Sequence, residues 1–502
     1  MKYFFVIIVL SIFCTLDNSA QTPDNSNFVK CINYLASDSL EGRLAGTRGA
    51  DKAADYIINE MKSMGLKPYK NNFKQEFDVT IAYTIDSSTN IFAEKLIPRA
   101  GLPKEQWRKM KQSWKLNLDY IPLATSSNST ATGNVLFACY GITAADLNYD
   151  DYAGVDAKGK IVIVMMDSPE PEEKCEKFCN YTSMNYKINN AKDHGAIGVI
   201  FIRKQGNEMN KFLDLKWKYF GDGAGFPVIQ ANRTFITKYI PSERNLMRLE
   251  DRVATALKPE SFDLGDMTLT ITTKINPVKS KAYNVVGMID GKDPVLKNEI
   301  IVIGAHYDHI GFGGGGTKVA PAKQDRVYNG ANDNASSVAA VLELARYIKD
   351  NPLRRTVVFA AFSAEEMGSL GANYFVDNLG EDAPKCISMV NLEMVGKNDK
   401  AMYAMSSASS PQFATILDSA AVHNGITLTH SQRAVPSDHS PFINKGIPAI
   451  IVFGGFSEDY HSPLDDANKI SYSAVRAAYN LTKEFVLNLD LLDKKPEFNP
   501  TK

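Results

Sequence analysis

The chain is short of the residues that would mark it as stapled, fibrous or strongly charged. It has six cysteines in 502 residues. With Cys14 in the leader, the five that remain form no disulfide framework, and a chain this long buries enough core without one. Cys175 and Cys179 are close enough in sequence to bridge, but no second pair completes a zinc ribbon. Charge of one sign is also missing: 56 Lys and Arg stand against 57 Asp and Glu, a net −1. That balance gives no electrostatic reason for a nucleic-acid or anionic-membrane partner. With 33 Gly and 22 Pro there is no collagen-like or low-complexity bias. No stretch offers 18 uninterrupted apolar residues, so no stable membrane span is expected. What remains is an ordinary globular composition, 44% hydrophobic and 23% charged, long enough for two to four domains.

The one notable apolar run, Phe4 to Phe13, follows Lys2 and exits through Asn18-Ser19-Ala20. A positive start, about ten apolar residues and a small-residue exit describe a secretory signal peptide over residues 1–20. Cleavage near Ala20 would leave a secreted or periplasmic protein. Phe13, standing where a small residue is needed before Cys14, argues against lipoprotein processing.

From Phe28 to Leu66 the pattern is helical with a polar break at residues 38–43, and Gly65 stops it. Residues 104–120 have no clear period. Between about 125 and 257 lie short β-branched runs at 135–138, 161–165, 197–202 and 227–229, bounded by Gly, Asp or Asn. They predict a small β-rich domain, and its lack of a ligand-type cluster makes it a non-catalytic inserted module. From Asn284 onward, strands at 300–305, 356–362, 387–392 and 449–453 alternate with helical segments, among them 335–348. Continuous apolar strands between amphipathic helices predict an α/β sheet covered on both faces.

Several of these strands run straight into ionisable residues, where open α/β sheets build their sites. The first ends in His306-Tyr307-Asp308-His309, the second in Ser363-Ala364-Glu365-Glu366, the third in Asn391-Leu392-Glu393, and the fourth leads to Tyr460-His461. Adjacent carboxylates after an apolar strand have no packing purpose, since burying them is costly unless they are paired or metal-bound. With Asp333 at the start of a helix, the set is His306, Asp333, Glu366, Glu393 and His461. Nitrogen and oxygen ligands without Cys suit Zn²⁺, and five are too many for one tetrahedral ion. A carboxylate shared by two ions would absorb the excess. Asp308 could accept the ring N–H of His306 and fix its tautomer.

His309, His423 and His430 are read as structural or solvated. His439 is a candidate for supporting the pocket or contacting substrate, and Arg433 for binding a substrate carboxylate, with a surface arginine as the commoner explanation. The glycine-rich run 311–318 lacks the Gly-Lys-Ser/Thr ending of a phosphate loop and is read as a flexible loop over the metal site.

His306-x-Asp308, Asn332-Asp333-Asn334, Glu365-Glu366-Met367-Gly368, Asn391-Leu392-Glu393-Met394, Ser437-Asp438-His439 and Tyr460-His461, in this order, resemble the zinc peptidase family M28. Leu40-Glu41-Gly42-Arg43 resembles its N-terminal portion. Residues 152–162 and 195–200 resemble the protease-associated domain often inserted there. The resemblance implies a three-layer α/β/α sandwich with a mixed, largely parallel sheet. Its peptidase parts would lie at 21–124 and 258–492, around a protease-associated insert at 125–257. It also implies that Asp333 bridges two zinc ions, with Glu366 and His461 on one and His306 and Glu393 on the other. Glu365 would be the general base, and Asp308 a further catalytic residue. The implied activity is zinc-dependent exopeptidase action on peptides, as an aminopeptidase, with carboxypeptidase, glutaminyl cyclase or a non-catalytic receptor-like ectodomain as alternatives. The family's aminopeptidases carry Asp where this chain has Glu393, which leaves one or two zinc ions open. Oligomeric state is not legible.

Overall fold

The computed structural model describes residues 25–97, 99–170, 177–206, 208–213, 215, 223–313, 327–431 and 435–499. The leader expected at 1–20, Cys175, Arg433 and most of the glycine-rich run lie outside them.

Among the described residues, nine strands form the larger sheet. At its centre lie four parallel strands in the order Thr356–Phe362, Ile300–His306, Cys386–Glu393 and Ala449–Phe453. Nearly every residue in them is buried, which is why each reads as an unbroken apolar run. The sheet is mixed because Ile275–Ile289 joins one side antiparallel and Ala401–Met405 the other. One face packs under helices Asn25–Leu35, Arg48–Ser63, Ser336–Asp350, Pro411–His423 and Tyr472–Asp490. The opposite face packs on Leu370–Asp377 and Ser440–Asn444. This is the three-layer α/β/α arrangement.

The chain leaves this sheet through strand Lys74–Ile85 and returns through Ile275–Ile289. The two pair antiparallel from Ile85 opposite Ile275 down to Lys74 opposite Val285. They form one long hairpin whose tip is replaced by a second body built on an eight-stranded sheet. Strands Asn90–Ile97, Arg108–Ser113 and Phe262–Thr273, which the sequence reading gave to the peptidase portion, pair inside this second sheet. Its strands therefore span 90–273, beyond the expected 125–257 on both sides. The outer strands escaped notice for a physical reason: Arg108–Ser113 is exposed at all six positions, so no apolar run announces it.

Candidate active site

The parallel register brings the chemistry to one edge. His306 closes its strand opposite Phe362, and Glu393 closes its own opposite Phe453. Glu365 and Glu366 follow three and four residues after Phe362, and His461 eight after Phe453. Asp333 arrives from the other direction, in the turn that opens helix Ser336–Asp350. All five expected ligands meet at the wall of one cavity, with Glu365 beside them.

They meet as two sets joined by Asp333. Its Oδ1 lies 3.3 Å from His306 Nε2, which is 3.2 Å from Glu393 Oε1. Its Oδ2 lies 3.4 Å from His461 Nε2, which is 3.2 Å from Glu366 Oε2. Ligand atoms about 2.0–2.2 Å from a tetrahedral zinc stand roughly 3.3–3.6 Å apart along the edges. The four imidazole–carboxylate distances, 3.2–3.4 Å, lie at or just below that spacing, so the donor set and these edges fit zinc, with one Asp333 oxygen turned to each side. The longer Glu393 side chain reaches this spacing because Ser437 Oγ holds its other oxygen at 2.9 Å, itself accepting from Asn391 Nδ2.

Electrostatics agree with a cation site. Burial pulls the His306 imidazole down, but the Glu393 charge and bonds to Asp333 and Glu393 raise it well above its usual range. Burial likewise opposes protonation of His461, yet Glu366 and Asp333 lift it to about 10. Burial would raise the Asp333 carboxyl, and the hydrogen bonds from His306 and His461 outweigh it and hold it well below normal. Positive charge belongs where these groups face one another, as ligands that exchange protons for a metal require.

The scaffold behind the ligands is largely hydrogen-bonded main chain. The Asp465 carboxylate accepts from the N–H groups of Asn332 and Asp333, each at 3.0 Å. Asn334 spans to the Glu393 strand, donating to Leu392 O and accepting from Met394 N. Asn332 Oδ1 accepts from Gly396 N. Sequence reasoning missed Asp465, although an acidic residue four positions after His461 was its available signal. It quoted Asn332, Asn334 and Ser437 without giving them roles.

Two expectations need correction, and a third is narrowed. The His306 Nδ1 proton is taken by the main-chain oxygen of Asp308, 3.1 Å away, while the Asp308 carboxylate stands 3.7 Å off. That carboxylate instead accepts from the Glu365 backbone N–H at 3.1 Å, so Asp308 steadies the segment carrying the base. Its burial, with little solvent to stabilise charge, pushes it up to about 7. His439 does not line the cavity: it is buried, with Nε2 3.2 Å from Ser406 Oγ, because its residue introduces helix Ser440–Asn444. Desolvation pushes its imidazole down to about 4. The third, His309, expected to be structural or solvated, is the structural one of these, placed beside the ligands. It is fully buried, with Nδ1 2.7 Å from Glu366 Oε1 and 3.9 Å from Asp333 Oδ2. By contrast, His423 pairs with Glu484 and His430 with Asp418, away from the cavity.

Comparison with known proteins agrees with this geometry. Residues 284–486 match the model of Peptidase family M28, and residues 123–238 that of the PA domain. Aminopeptidase YwaD of Bacillus subtilis is 27% identical over 382 residues, covering 73% of this chain and 71% of that protein. An aminopeptidase of Pseudomonas aeruginosa is 24% identical over 379 residues, 74% of this chain and 58% of the relative. Among solved structures, an aminopeptidase from Aneurinibacillus sp. strain AM-1 superposes with a TM-score of 0.59 at 21% identity, covering 96% of each chain. The zinc aminopeptidase BSAP from Bacillus subtilis gives 0.57 at 21% identity, covering 95% of this chain and 99% of the other. The catalytic portion, residues 284–486, matches peptidase family M28, and a PA domain is inserted ahead of it.

Proposed function

We propose that this chain is a zinc-dependent aminopeptidase, binding two zinc ions and removing the first residue from peptides. The observation that carries the reading is Asp333 turned with one oxygen toward each ligand set, beside Glu365 in the same cavity. When bound, zinc supplies Lewis acidity to the scissile carbonyl and to water. The rest is done by the chain. Glu365 follows strand Thr356–Phe362 and borders the cavity, where its carboxylate can take the proton of the attacking water. It then returns that proton to the leaving nitrogen as the C–N bond breaks. Burial, then the nearby carboxylates of Asp438, Glu393 and Glu366, raise its carboxyl well above the usual range, with His306 opposing.

Relatives that align with most of this chain, Aminopeptidase YwaD and the zinc aminopeptidase BSAP, support the choice of the N-terminus. The cavity wall includes Met394, Met405, Ile451 and Phe453, an apolar surface for the first side chain. Burying a leucine-sized side chain is worth about 1.5–3 kcal/mol. Peptides starting with Leu or Met are therefore expected to exceed those starting with Asp by at least about tenfold in kcat/KM.

Digestion of peptide sets read by mass spectrometry tests the reading. Loss of single N-terminal residues is expected, with N-acetylated peptides inert, C-terminally amidated ones cleaved, and chelation abolishing activity. Trimming from the C-terminus, or only ring closure of N-terminal Gln, would assign the other chemistries of the fold. The leader at 1–20 supports action outside the cytoplasm. No described helix is long and apolar enough to cross a membrane.

A further inference from the structure

Glu366 and Glu393 divide their two oxygens in the same way. Each turns one oxygen toward an imidazole ligand at the tetrahedral-edge spacing: Glu366 Oε2 to His461 and Glu393 Oε1 to His306, both at 3.2 Å. Each gives the other oxygen to a donor outside the ligand triplet. For Glu393 that donor is Ser437 Oγ at 2.9 Å, and for Glu366 it is His309 Nδ1 at 2.7 Å. The 2.7 Å contact is too short for an edge between two zinc ligands, yet normal for an N–H donating to a carboxylate. His309 Nδ1 is also 3.9 Å from Asp333 Oδ2, beyond the spacing of the ligand triplet. His309 lies among the side chains that could hold a metal, yet its short contact is with the Glu366 oxygen that is not the one nearest His461.

Two further observations bear on the proton and the ring. Among the described residues His309 Nε2 is buried with no hydrogen-bond partner, so a neutral ring has its useful proton on Nδ1, toward Glu366. The ring also lies close against Gly330: a Cβ there, where φ is +57°, would stand 2.5 Å from His309 Cδ2. The imidazole is fully buried, and its edge packs against the His461 ring, centroids 5.7 Å apart.

We propose that His309 is a positioning residue for the zinc held by Asp333, Glu366 and His461. It donates Nδ1–H to Glu366 Oε1, so that Oε2 alone faces the ion. This deepens the aminopeptidase reading and rests on it. Loss of such outer-shell partners typically costs 10–100-fold in metal affinity.

The test is zinc binding by the full-length protein, titrated against a competing chelator, with the visible spectrum of the cobalt-substituted enzyme as a second readout. Asn can place its amide N–H near the position of Nδ1, whereas Gln carries it about one bond too far. His309→Asn is expected to keep both ions within about threefold of the parent affinity. His309→Gln is expected to weaken one of the two by at least about tenfold and to alter the cobalt spectrum. Equal affinities and spectra for Asn and Gln would overturn the proposal, as would equal losses in both. If the parent protein binds no zinc, the function reading itself fails, an outcome separate from any difference between variants.

Discussion

Glu365→Gln is expected to lose about 10²–10⁴-fold in kcat while binding the parent amount of zinc. The amide keeps the size of the carboxylate but cannot accept and release a proton at neutral pH, so the substitution removes proton transfer and little else. The local backbone should hold, because Glu365 is secured through its main-chain N–H to the Asp308 carboxylate, a bond the substitution leaves intact. Glu365 is also absent from both groups of side chains placed to hold a metal, His306, Asp333 and Glu393 on one side and Asp333, Glu366 and His461 with His309 on the other, so metal content should not follow activity down. Metal analysis beside single-turnover kinetics separates the two. Retention of more than about a tenth of parent kcat would remove Glu365 from the base role. Loss of zinc together with activity would make it a ligand instead.

The contrast between Glu365 and His309 shows what the sequence could reveal. Strand exits were legible because continuous apolar runs such as 300–305 and 356–362 end abruptly in charge, and a buried parallel strand has only one physical reading. Four of the five ligands followed from those exits, while Asp333 came from the start of a helix and the base role of Glu365 from the family resemblance. His309 was opaque because its meaning lies in a distance to Glu366, 57 positions away, and the loop carrying it has no periodicity. Asp308 was misassigned for a related reason. Side chain and main-chain carbonyl of one residue compete for the same ring N–H, and only coordinates show that the carbonyl wins. The outer strands of the second body were hidden by exposure, since Arg108–Ser113 reads as a loop until its pairing with Asn90–Ile97 is seen.

Arg43→Met should have the largest effect on stability, although Arg43 touches no ligand side chain. Its guanidinium is fully buried and donates Nε to Tyr307 O at 2.8 Å, Nη1 to Asn329 O at 2.6 Å and to Leu35 O, and Nη2 to Gly330 O at 3.0 Å. It thus joins the end of the first helix to the loop after His306 and to the segment entering Asp333. Neighbouring Gly42 allows the chain to press close: at φ +67°, a Cβ there would stand 2.3 Å from Gly311 O. Burial pulls the guanidinium down to about 10, against the charges of Asp308, Asp333 and Asp465, so it stays protonated at neutral pH. Methionine fills similar volume but strands four buried carbonyls and leaves those acids without their cation. Unpaired buried groups cost about 1–3 kcal/mol each, more where charge is involved, so a loss of about 4 kcal/mol or more is expected. On a body this size that is a fall of about 5–10 °C in thermal midpoint. Lysine keeps the charge but not the fork, and Arg43→Lys should fall between the two. Both ligand loops hang on this one side chain, so zinc affinity should weaken along the same series, measured well below each variant's melting temperature. Parent-like melting and zinc binding in Arg43→Met would mean that the two loops hold their places without it, through Asp465 and the Asn332–Asn334 bonds alone.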